Sequence, residues 1–67
     1  MRMTSQDMRN LVDSRIVEVR GVSGVPATVD QAMHAPTCVQ VYAMSGLVFD
    51  VMYNAKIDQF KLTEVPQ

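Results

Sequence analysis

Tryptophan is absent, and the chain holds one cysteine, one histidine, three glycines and three prolines. A lone Cys38 excludes a disulfide framework within the chain. So few glycines and prolines exclude collagen-like and low-complexity types. No stretch is apolar enough to span a bilayer. The longest uncharged run, residues 31–49, is interrupted by Gln31, His34, Pro36, Thr37, Gln40, Ser45 and Gly46. Neither sign of charge prevails: six Lys and Arg stand against seven Asp and Glu, for a net charge of −1. An acidic pI near 5.6 is the wrong balance for a protein that releases counterions from phosphates. Met1-Arg2-Met3-Thr4-Ser5-Gln6-Asp7 lacks the apolar stretch of a signal peptide. With an unpaired cysteine, that makes the cytoplasm the expected location.

What is present suits a globular chain. Hydrophobic residues make up 48%, too many for compositional disorder. The length allows one domain, residues 1–67. A chain this short buries only about 60% of its unfolded surface. Such proteins usually add a disulfide, a metal or a partner subunit. The first is unavailable and the second has poor ligands, so self-association, as a dimer, is the expectation.

The local pattern predicts an α+β fold. Thr4 as N-cap places Asp7 at the third helical position, and Met8, Leu11 and Val12 form one apolar stripe, so a helix is predicted over 5–13. Ile16, Val17 and Val19 are β-branched, which predicts an edge strand over 15–21. The alternative is one long helix ending at Gly21. Residues 21–26 read as a loop. Thr28 and Gln31 have capping-box spacing, so a short second helix begins there and stops before Pro36.

Residues 37–63 predict a three-stranded antiparallel meander. Cys38–Ala43 and Leu47–Tyr53 are strand-like runs. A three-residue loop, Met44-Ser45-Gly46, pairs Ala43 with Leu47 and gathers Val39, Val41, Ala43, Leu47, Phe49, Val51 and Tyr53 on one face. The third strand is expected over 56–63, with a bulge near Asp58-Gln59; a short helix capped by Asn54 is the alternative. Met3 and Pro66-Gln67 are expected in frayed ends. The expected core is Met8, Leu11, Val12, Val17, Val19, Val39, Val41, Leu47, Phe49, Val51 and Phe60.

Chemistry-bearing constellations are scarce. His34 and Cys38 lie four apart with Pro36 between them, too few ligands for a tetrahedral metal site and no helical register for a thiolate–imidazole pair. Asp50 and Asp58 lie on neighbouring strands, and paired carboxylates need a cleft that separates their pKa values. Gly21-Val22-Ser23-Gly24 has no following Lys-Ser or Lys-Thr, so it reads as a turn and not a phosphate loop. These readings predict no enzyme, cofactor or metal site. No motif is specific enough to carry a resemblance to a family.

The second face of the hairpin is the informative feature. It carries Gln40, Tyr42, Val48, Asp50 and Met52, with one charge only. Two short helices cannot cover both faces, so Tyr42, Val48 and Met52 are expected at a protein interface. This predicts a protein-binding module, a homodimeric accessory regulator or inhibitor that acts by occupying a surface. The alternative is a nucleic-acid-binding regulator using Arg9, Arg15 and Arg20, disfavoured because acidic residues interleave with them.

Overall fold

The computed structural model describes residues 1–34 and 39–66. Expectations for Pro36, Thr37, Cys38 and Gln67 lie outside those residues. Thr4 opens the first helix as its position predicts. Its hydroxyl accepts the Asp7 N–H at 3.1 Å, and the Asp7 carboxylate accepts the Thr4 N–H at 3.4 Å. Helix α1 (Ser5–Asp13) follows, with the acidic group where the helix dipole favours it.

The same chain end shows why no long helix continues to Gly21. Arg15 takes a left-handed conformation, φ 60°. Its N–H bonds the Val12 carbonyl, and the Ile16 N–H bonds the Leu11 carbonyl, both at 3.0 Å. That paired closure is the Schellman stop, here with arginine in the position glycine usually fills. The β-branched run is thereby freed to form a strand.

The second capping box also forms. Gln31 Oε1 accepts the Thr28 N–H at 2.8 Å, and Thr28 Oγ1 accepts the Gln31 N–H at 3.0 Å. Helix α2 (Val29–His34) is short and survives by burying Val29 and Ala32.

The sheet has five strands: β1 (Arg2–Met3), β2 (Val17–Arg20), β3 (Gln40–Ala43), β4 (Val48–Asn54) and β5 (Gln59–Glu64). All neighbours are antiparallel, in the order β1-β5-β4-β3-β2. The three-stranded meander is therefore the centre of a larger sheet. The expected strand over 15–21 forms as β2 on one edge. The other edge, β1, was not anticipated: Met3 pairs with Phe60 and is not frayed. The β3–β4 register is the one that segregates apolar side chains. Val41 pairs with Phe49, the Ala43 N–H bonds the Leu47 carbonyl, and Gly46 turns the loop at φ 97°. The third meander strand is corrected at its start. Residues 55–58 form the β4–β5 turn, and Asn54 pairs with Gln59. Asp58 absorbs the reversal at φ 49°, so the turn does what a bulge was expected to do.

Both helices cover one sheet face. The buried core is Met8, Val19, Val29, Ala32, Val39, Val41, Val51, Phe60 and Leu62, with Met3, Val12, Val17, Phe49 and Tyr53 packed against it. Leu47, expected inside, is 42% exposed because it sits at the hairpin tip beyond the helices. Leu11 is only half-buried.

One polar contact joins distant parts of the chain. The Asp58 carboxylate accepts the Tyr53 hydroxyl at 2.7 Å and the Ser5 N–H at 3.3 Å. It thus satisfies a free amide at the start of α1. The Tyr53 hydrogen bond, then those from Ser5, lower the Asp58 pKa, and the Tyr53 pKa is raised in return. The folded state holds this proton less tightly than the unfolded chain, where an aspartate titrates near about 3.9. The contact therefore stabilises above that value and is lost as pH falls through the folded pKa. Asp58→Asn is expected to flatten the acid limb of a urea-midpoint profile taken from about pH 6 to 2. An acid limb identical in both proteins would refute the assignment.

Candidate functional site

The strand alternation that sends Val19, Val41, Val51 and Leu62 into the core sends their neighbours to the opposite face. That face carries Glu18 and Arg20 from β2, Gln40 and Tyr42 from β3, and Val48, Asp50 and Met52 from β4. Asn54 of β4, Gln59, Lys61 and Thr63 of β5 and Arg2 of β1 complete it. Neither α1 nor α2 packs on it; the short 3-10 turn Val22–Gly24 borders it beside Gln40, Tyr42 and Asp50. Met52 is 66% exposed, whereas Tyr42 and Val48 are half-buried by their neighbours within the sheet.

Side chains on this face hold one another in a line across three strands. The Arg20 guanidinium lies 4.1 Å from the centre of the Tyr42 ring and donates to Glu18 at 3.1 Å. The Tyr42 hydroxyl donates to Gln40 Oε1 at 3.2 Å, and Gln40 Nε2 donates to Asp50 Oδ1 at 3.1 Å. Gln40 and Asp50 are cross-strand partners, as are Glu18 and Tyr42. The Glu18 hydrogen bond raises the Arg20 pKa, so this cation stays charged. Ordering Tyr42 and Arg20 before any partner arrives reduces the rotamer entropy lost on binding. Both are residue types that anchor interfaces.

The expected interface residues Tyr42, Val48 and Met52 therefore share one uncovered surface. The three arginines named for nucleic acid do not come together. Arg20 stacks on Tyr42 on the open face. Arg9 is on the helical side, where it ties α1 to α2 through Asp30 and also contacts Met33 Sδ at 3.6 Å. Its hydrogen bond holds the Asp30 carboxyl below the usual range and raises its own pKa. Arg15 closes the helix end. No family model, curated protein or solved structure matches this chain.

A different set of cations does converge. Arg2, Lys56 and Lys61 border a shallow hollow beside Met52 and Ile57. Among the described residues the ion pairs are Arg9–Asp30 and Arg20–Glu18, so none of these three is in one. Their proximity depends on β1 pairing with β5, 59 residues apart in sequence (Arg2 to Lys61), which local patterning does not reveal. Among the described residues no three His, Cys, Asp or Glu side chains gather to hold a metal, and no helix is long and apolar enough to cross a membrane.

Proposed function

We propose that this chain is a protein-binding module that works as a homodimer in the cytoplasm, an accessory regulator or inhibitor acting by surface occupation and not by catalysis. One observation carries the reading: a sheet face left uncovered by both helices presents Tyr42 and Arg20 in a fixed arrangement beside an exposed Met52. Tyrosine, methionine and arginine are the types enriched at protein interfaces. The nucleic-acid alternative draws less support, because Arg9 and Arg20 lie on opposite sides of the molecule and each is paired with a carboxylate.

Val48→Lys tests the reading. Val48 lies opposite Tyr42 on the open face, so a lysine there puts a charge into the contact without touching the core. The wild-type protein is expected to sediment as a dimer, and the variant to dissociate about thirtyfold more readily, the size of a hot-spot loss. A wild-type mass that stays that of one chain at every concentration would sink the proposal.

A further inference from the structure

Arg2 and Lys61 stand directly opposite each other on β1 and β5. The flanking bonds join Met1 and Leu62: the Leu62 N–H bonds the Met1 carbonyl at 2.7 Å, and the Met1 amino group bonds the Leu62 carbonyl at 3.1 Å. Arg2 and Lys61 therefore form a non-hydrogen-bonded pair, the closest side-chain approach in an antiparallel ladder. Like charges there destabilise a sheet. The next residue across the same row is Met52, opposite Lys61. Two positions back along β4 is Asp50, which accepts from Gln40 but joins no ion pair among the described residues. An exposed methionine thus has cations beside it across the ladder and a carboxylate beside it along its own strand. Lys61 and Asp50 are diagonal neighbours, yet they form no ion pair with each other.

Building on the dimer reading above, we propose that the open face is covered by a second copy of this chain, with Met52 on the two-fold axis and Lys61 of each protomer against Asp50 of the other. A two-fold makes every contact twice, so an apolar side chain with a cation across the ladder and an anion along its own strand becomes a self-complementary surface. Exchanging Lys61 with Asp50 about Met52 requires the strands of the two sheets to cross steeply, as in orthogonal sheet packing. Arg2 then lies beside the same carboxylate, and the like-charge pair gains the anion it lacks. A stable dimer takes about 800 Å² from each partner, roughly one sixth of this chain's 4638 Å².

A charge exchange between separate chains tests the arrangement. Lys61→Glu and Asp50→Lys both alter exposed positions, and circular dichroism verifies that each variant is folded. Each alone is expected to dimerise at least about tenfold more weakly, since each sets like charges together twice. Mixing the two is expected to restore a dimer that contains one of each. The glutamate introduced in one chain then meets the lysine introduced in the other, and the unaltered Asp50 and Lys61 meet at the second contact. Rescue by mixing cannot arise from the diagonal pair inside one chain. Single variants that dimerise like the wild type, or a mixture that fails to recover, would overturn the arrangement while leaving the dimer itself intact. A wild-type chain that never dimerises would overturn both.

Discussion

Phe60→Ala is expected to leave a large share of the molecules unfolded at room temperature. Phe60 has no exposed surface, pairs with Met3 on one side and Tyr53 on the other, and its ring lies 4.6 Å from the Tyr53 ring. Truncating a buried phenylalanine costs about 3–5 kcal/mol, from lost transfer energy and the cavity left behind. A chain of 67 residues has a total stability of about 3–10 kcal/mol. The loss is therefore comparable to the whole. It also falls where β1, β5 and β4 meet, so the edge strand loses its anchor together with the core. A urea titration followed by far-ultraviolet circular dichroism measures it. A loss below about 1 kcal/mol would mean that this side chain is not at the centre of the core.

Met8→Ala is expected to detach the first helix. Met8 is the one buried residue of α1, at 1% exposure, and the helix otherwise rests on half-buried side chains such as Val12. The cost is about 2–5 kcal/mol. The loss is local in character, because α1 is short and an isolated helix of that length is not stable in water. Hydrogen exchange separates the two effects. The amides of α1 should lose protection well before those of β4 and β5, whose mutual pairing does not involve Met8. Met8→Leu, which nearly preserves volume, should cost less than about 1.5 kcal/mol. Equal losses for both substitutions would show that the site is not filled by packing.

Features legible in the sequence were those whose partners lie within a few residues. Both capping boxes are closed by side chains three positions apart, and both helices begin where Thr4 and Thr28 place them. The β3–β4 register followed from one local fact: a three-residue loop, Met44-Ser45-Gly46, puts Val39, Val41, Phe49 and Val51 on a common face. The third meander strand, expected over 56–63, begins at Gln59 because residues 55–58 make the turn; Ile57 is therefore 59% exposed, and Leu62 joins Phe60 in the core. The left-handed stop at Arg15 was illegible because arginine carries no bias toward that conformation; the bonds to Val12 and Leu11 impose it.

The candidate site divides in the same way. Tyr42, Val48 and Met52 were placed on the uncovered face by alternation alone, a property of any strand. Their surroundings were not readable. Arg20 reaches Tyr42 because β2 pairs beside β3, and Arg2 reaches Lys61 because the first residues of the chain close the far edge of the sheet.

The amino-acid sequence by itself determined the helix starts, the central hairpin and the division of its side chains between two faces, because capping and alternation act over two to four residues. The tertiary structure alone decided that the sheet has five strands, that both helices share one side, and which charges sit beside Met52. Those outcomes depend on pairing between segments up to 59 residues apart, and no local preference encodes the register in which distant strands meet.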